Sequence, residues 1–190
     1  MQYLDSIIER IKEIMDPQLF NHSINTLEFA LRMAESYKKD INLFELCIAS
    51  VVHDYGKTFD LEELVRLARK HKLDIIEFEL GLKPLLHGLM GDFLVARDLG
   101  IKNKKILRSV KYHTIGSVNM SLEEKILFIA DKVEKGRKYE KVEGLRKLAL
   151  KDINLCLIEV YKNNIIYVIN NNRLLHPDTS GIWNSICGGN

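Results

Sequence analysis

Histidine and aspartate recur along this chain in an order that metal chemistry could use: His22, the doublet His53-Asp54, His87, His113 and Asp131. Imidazole nitrogens and carboxylate oxygens are both ligands for divalent metals. The six side chains fall in or beside apolar, helix-patterned segments, where an unpaired ionisable group is expensive. A pair of divalent cations would satisfy all of them at once. Two such ions about 3.5–4 Å apart can share a hydroxide and hold it in line with a phosphorus atom. The expected chemistry is therefore metal-dependent hydrolysis.

Each residue alone admits a blander reading. His22 lies away from the polar wedge formed by Asn21, Asn25, Glu28, Arg32 and Glu35, so it could be a hydrogen-bonded core histidine. Asp54 falls in the last turn of an apolar helix, where a carboxylate meets the unfavourable end of the helix dipole at a cost of about 0.3–1 kcal/mol; it could also point into water. His87 and His113 precede Gly88 and, at a short distance, Gly116, and either could cap a helix end. Asp131 interrupts the apolar run 126–130 and could pair with Lys132 or Lys135. His71 sits among charges and reads as a surface residue, while His176 precedes a proline and stays open. The conjunction of six ordered positions is what the separate readings leave unexplained.

The elements that must position these groups read as helix after helix, an all-α bundle. Apolar residues recur at three- and four-residue steps over 3–14, 17–38, 43–55, 60–71, 84–99, 103–113, 121–135 and 152–170. Asp16-Pro17, Asn42 with Glu45, Asp60 with Glu63 and Ser121 with Glu124 are start signals. Gly56, Gly88, Gly100 and Gly116 read as stops. The segment 43–52 is apolar all round and should run through the middle of the bundle. The charged stretch 132–151 reads as a loop plus a short helix, and the tail 174–190 as extended. No domain linker is visible, so one domain is expected over 1–190, with a core over about 17–172 and a tail over 173–190.

Composition narrows the function classes. The 190 residues are 46% hydrophobic and 28% charged, an ordinary globular balance. A net charge of +2 is too mild to argue for nucleic acid as a partner, and no apolar run approaches a membrane span. Cys47, Cys156 and Cys187 are odd in number and far apart, as expected of reduced thiols in a cytoplasmic protein. Nothing here fixes the oligomeric state.

The pattern resembles the HD-domain phosphohydrolase superfamily, an all-helical metal-binding fold. The resemblance extends beyond the doublet to His53-Asp54-Tyr55-Gly56-Lys57, to Leu86-His87-Gly88 with Gly91, and to Tyr112-His113-Thr114-Ile115-Gly116. It continues through Met120 to Lys125, Ala130 to Glu134 with Arg137, and the tail His176-Pro177-Asp178-Thr179 with Asn184. These motifs cover roughly 17–185 and are similar to the YqeK-type branch, associated with symmetrical hydrolysis of bis(5′-nucleosyl) tetraphosphates. Two positions depart from that branch: Leu19 stands where an arginine is usual, and Glu134-Lys135-Gly136-Arg137 replaces a Glu-Pro-x-Arg turn.

The resemblance implies an enzyme that cleaves diadenosine tetraphosphate to two ADP at a di-iron centre, with manganese, cobalt or nickel as other candidates for this ligand set. His22, His53, Asp54 and Asp131 would hold one ion. His87, His113 and a bridging Asp54 would hold the second. Lys57, beyond the doublet, is placed to act with Asp54 in catalysis and to meet a phosphate oxygen. Arg137 could bind two phosphate oxygens and Thr114 could add a hydroxyl; a solvated charged face is the other reading for Lys57 and Arg137. Rival functions are an HD-fold phosphohydrolase acting on another nucleotide and a nucleotide sensor without turnover.

Overall fold

Twelve α-helices and one 3-10 turn make up the described part of a computed structural model, residues 2–37 and 41–188, and no strand occurs among those residues. The helices are α1 (Gln2–Ile14), α2 (Pro17–Tyr37), α3 (Leu43–Val52), α4 (Leu61–Lys70), α5 (Glu77–Leu80) and α6 (Lys83–Leu89). They continue with α7 (Gly91–Leu99), α8 (Lys104–Tyr112), α9 (Leu122–Val133), α10 (Val142–Ala149), α11 (Ile153–Asn170) and α12 (Thr179–Gly188). Residue 38, the expected end of the second helix, and residues 189–190 lie outside the described residues.

α3 is the axis of the bundle, packed by α1, α2, α8 and α9. Its Leu46, Ile48, Ala49, Val51 and Val52 are buried, as its apolar circumference requires, but Leu43 and Phe44 in its first turn are exposed. α9 is the second buried helix, with Ile126 to Ala130 fully enclosed. Helix starts follow the local chemistry. Asp16 Oδ1 accepts from the backbone N–H groups of Gln18 and Leu19. Asn42, Asp60 and Ser121 accept from the third residue of α3, α4 and α9. Of these three, only Ser121 has the bond returned, Glu124 Oε2 accepting from the Ser121 N–H.

Four expectations are corrected. α3 stops at Val52, and His53-Asp54 lead into a 3-10 turn over Tyr55–Thr58 that contains Gly56. The expected helix 84–99 is two, broken at Met90. Gly88 does not end a helix but lies inside α6, where its missing side chain lets Thr114 and His113 approach. The tail is not extended beyond 178: residues Thr179–Gly188 form α12. Packing outweighs its glycines, because Ile182 is buried and Trp183 stacks on Tyr161, which stacks on Phe128 of α9. The short helix expected within 132–151 is α10.

Candidate metal centre

Three helices end at one point. His53 caps the C-terminus of α3, His113 caps that of α8, and His87 stands in the last turn of α6. Each ring turns its Nδ1 back onto its own helix: His53 to the Ser50 carbonyl at 2.8 Å, His87 to Lys83 at 3.2 Å, His113 to Val110 at 2.6 Å. A carbonyl only accepts, so each Nδ1 carries the proton and each neutral Nε2 carries a lone pair. His22, on α2, has its Nδ1 3.3 Å from Glu134 Oε1, so the same tautomer is favoured there.

The four Nε2 atoms then face one another. His22 and His53 approach to 3.3 Å, as do His87 and His113. Asp54, fully buried, lies between the two pairs. Its Oδ1 is 3.1 Å from His87 Nε2 and 3.2 Å from His113 Nε2. Its Oδ2 is 3.4 Å from the Nε2 atoms of both His22 and His53. Asp131 of α9 completes the set, with Oδ1 2.9 Å from His22 Nε2 and 3.8 Å from His53 Nε2. All six residues therefore converge.

Acceptors facing acceptors in a buried space need positive charge. The donor set fits divalent cations on that ground: the Nδ1 positions are occupied, the Nε2 lone pairs converge, and one carboxylate reaches both groups of imidazoles. Ligand atoms within 4.8 Å of one another occur in three overlapping groups, His22/His53/Asp54, His53/His113/Asp131 and Asp54/His87/His113. The negative ends of α3, α6 and α8 add to the attraction for cations.

Close backbone approach brings the groups together. A Cβ on Gly56 would lie 2.2 Å from the His87 carbonyl oxygen. A Cβ on Gly88 would lie 2.7 Å from Thr114 Oγ1 and 3.2 Å from His113 Cε1. The turn after Asp54 can touch α6 only because Gly56 lacks a side chain, and the end of α8 can touch α6 only because Gly88 does.

Without metal, protons balance the cluster. Burial pushes the His22 imidazole down, but Asp131 and Asp54 outweigh it and lift His22 to about 9. Burial drives His113 the other way, to about 4, against the pull of Asp54 and with help from His53 and His87. Asp54 and Asp131 resist the upward push of burial. Neighbouring histidines hold Asp54 well below the usual carboxylate range, and Lys132 with the histidines does the same for Asp131.

Cationic side chains border the cluster. Lys57 Nζ is 2.5 Å from Asp54 Oδ2, and Arg137 Nη2 is 2.8 Å from Asp131 Oδ1. Lys132, one of the two lysines the sequence offers as a partner of Asp131, reaches Asp131 Oδ2 at 2.8 Å and also the His113 carbonyl at 2.7 Å. Glu134 is missed by sequence reasoning as the partner of His22. Its signals are its place three residues after Asp131, at the end of the same helix, and its position in the motif Ala130 to Glu134 with Arg137. Lys57 and Arg137 open into a cleft of about 670 Å³ with His22, Leu19, Asn21 and Asn25. Thr114 lies elsewhere, beside a smaller cleft with Leu85, Tyr161 and His176, and its buried hydroxyl has no hydrogen-bond partner. His71 is on the surface against Phe93. His176 is buried, bonds Glu79 Oε1 through Nε2 at 2.7 Å, and takes no part in the cluster.

Comparison with known proteins gives a family match to the HD domain over residues 19–136. The symmetrical bis(5′-nucleosyl)-tetraphosphatase of Bacillus subtilis (strain 168) is 30% identical over 179 residues, 94% of this chain and 95% of that protein. The protein of the same name from Halalkalibacterium halodurans is 32% identical over 179 residues, covering 94% of each. A crystal structure of a predicted HD superfamily hydrolase involved in NAD metabolism, from Clostridium acetobutylicum, superposes with a TM-score of 0.90 at 31% identity, over 98% of this chain and 97% of that one.

Proposed function

The chain belongs to the HD domain family, and from that premise we propose that it hydrolyses dinucleoside tetraphosphates symmetrically, diadenosine tetraphosphate giving two ADP. The observation that carries the reading is the shared carboxylate of Asp54, reached by two imidazoles on each of its oxygens beside a cleft that Lys57 and Arg137 line together with Asp16 and Glu134. His22, His53, Asp54 and Asp131 are assigned one divalent ion, and His87, His113 and Asp54 the other. Imidazole and carboxylate donors without thiolate suit iron, with manganese, cobalt and nickel also compatible. Bound ions would supply Lewis acidity toward phosphoryl oxygens and lower the pKa of water from about 15.7 toward 7.

The protein's own residues do the rest. Asp54 orients both halves of the centre. Glu134 holds His22 in the ligating tautomer. Lys57 and Arg137 meet the phosphate oxygens, and the planar guanidinium suits two at once. Their present partners, Asp54 and Asp131, would be shared with the ions, which frees both cations for the substrate. Thr114, expected as a further hydroxyl donor, lines the smaller cleft and not the one that Lys57 and Arg137 enter, so it is given no phosphate contact. In the reaction a water oxygen joins an inner phosphorus as the bridging P–O bond between the two inner phosphates breaks. The water proton leaves to solvent, and each half departs as a nucleoside diphosphate. Lys57 and Arg137 neutralise the charge gained by the leaving half.

The test is incubation of metal-loaded protein with diadenosine tetraphosphate and chromatography of the products. ADP alone is expected. ATP plus AMP would contradict symmetrical cleavage, and tight binding without products would make the protein a sensor. No helix of the described residues is long and apolar enough to cross a membrane.

A further inference from the structure

A second cleft, of about 380 Å³, shares Arg137 with the large one, and its walls include Lys132, Arg137, Tyr139, Asn163, Asn164 and Tyr167. Asp131 also lines it. The volume is within the range of about 300–1,000 Å³ typical of ligand clefts. We propose that this cleft holds the base of one nucleoside half of the substrate, an adenine stacked on Tyr139 and Tyr167 and met at its edge by Asn163 or Asn164. The proposal rests on the hydrolase reading above and extends it to base recognition.

Three observations carry it. First, Tyr139 and Tyr167 are 41% and 58% exposed, and each has a partner that places it. Tyr139 donates its hydroxyl to the Lys132 carbonyl at 3.0 Å, and the Arg173 guanidinium lies 5.8 Å from the centre of the Tyr167 ring on α11. Two exposed aromatic rings lining one cleft with an arginine offer a base a stacking surface. Second, Asn163 and Asn164 precede Tyr167 by four and three residues, so α11 presents all three on one face. A carboxamide offers a donor and an acceptor side by side, the pattern that pairs with the amino group and adjacent ring nitrogen of adenine. Third, the cleft is joined to the metal centre through Lys132, whose ammonium contacts Asp131 Oδ2 and the His113 carbonyl. A base seated between the tyrosines therefore has its phosphates leading toward Lys132 and Arg137. With the larger cleft sharing Arg137, the centre adjoins room for two nucleosides, as cleavage at the middle of a tetraphosphate requires.

Equilibrium binding of ADP and of inorganic pyrophosphate to the manganese-loaded full chain tests this. The double change Tyr139→Ala with Tyr167→Ala should weaken ADP by about tenfold or more, because base–aromatic stacking is lost, and leave pyrophosphate within about twofold. The pair Tyr139→Phe with Tyr167→Phe keeps the rings and should restore ADP binding. Asn163→Leu with Asn164→Leu should reduce the preference for ADP over inosine diphosphate, which lacks the amino group. The proposal is overturned if ADP affinity is unmoved by removing both rings, if ADP and pyrophosphate weaken together, or if the phenylalanine pair fails as badly as the alanine pair. Turnover of diadenosine tetraphosphate by the parent is measured alongside. No ADP product with ring-dependent ADP binding intact would sink the hydrolase reading and leave the base cleft standing.

Discussion

The smallest changes act on single atoms of the ligand set. Glu134 is buried and makes its one histidine contact at Nδ1 of His22, opposite the ligating nitrogen. Glu134→Gln keeps the volume but weakens the acceptor and frees the ring to turn. Metal affinity should fall by about 10–100-fold, with secondary structure intact by circular dichroism. Lys57 acts differently, since it touches Asp54 and the cleft but supplies no lone pair while protonated. Lys57→Met should leave metal content unchanged and lower kcat/KM for diadenosine tetraphosphate by about tenfold or more, the loss expected for one charge-assisted contact. Equal loss of metal in that variant would mean that Lys57 is structural.

Legibility from sequence divides along the same line. The six convergent residues are legible because metal chemistry restricts them to two residue types and the fold fixes their order. The Asp131–Lys132 pair is legible from adjacency, but the reach of Lys132 to the His113 carbonyl and of Glu134 to His22 is not. A lysine beside an aspartate and a glutamate near an arginine occur on any charged surface, and only the folded chain sets them against His113 and His22.

At the scale of elements, the site depends on α3, α6 and α8 ending together, and two glycines permit that. Gly56→Ala drives a Cβ into the His87 carbonyl, a backbone atom that moves only with α6. The change should cost about 1–3 kcal/mol in chemical denaturation and reduce metal binding with it. Gly144→Ala is the contrasting case. It lies inside α10, where an added Cβ would meet nothing within 4 Å, and should stabilise by about 0.5–1 kcal/mol without touching metal content. If both changes behaved alike, close packing at Gly56 would not be what sets the geometry. Caps and apolar periodicity make most helices readable, and boundaries move where tertiary contacts override them. Gly88 reads as a terminator by type, but the approach of His113 and Thr114 explains it better. The tail reads as extended because of His176-Pro177-Asp178-Thr179 and the closing Gly188-Gly189-Asn190, and the helix there is held by tertiary contacts, buried Ile182 and the stack of Trp183 on Tyr161.

At the scale of the whole molecule, the cluster links protons, metal and stability. In metal-free protein His113 titrates near 4 when folded and 6.5 when unfolded, so the unfolded chain binds more protons between those values and stability rises with pH there. His22 titrates near 9 when folded, so its contribution is complete below 6.5 and is lost as pH climbs through about 9. Burial lowers the Lys132 ammonium, which therefore works against that loss as pH rises toward 10.5. Melting temperature without metal should therefore peak near pH 6.5. With metal bound, the imidazoles are held neutral, the decline between pH 6.5 and 9 should vanish, and the melting temperature should rise throughout, because the ions bind the folded chain alone. Identical profiles with and without metal would mean that the cluster holds no ion.

If two cations share the carboxylate of Asp54, metal stoichiometry shows it most directly. Elemental analysis of the loaded protein after exhaustive desalting should give two ions per chain. His87→Ala and His113→Ala should each bring that to one, since a single imidazole with the shared Asp54 carboxylate is too few to hold the second ion, while Asp131→Ala, which leaves His22, His53 and Asp54, should weaken the other ion without removing it. A single ion in the parent, unchanged by either histidine substitution, would contradict the account.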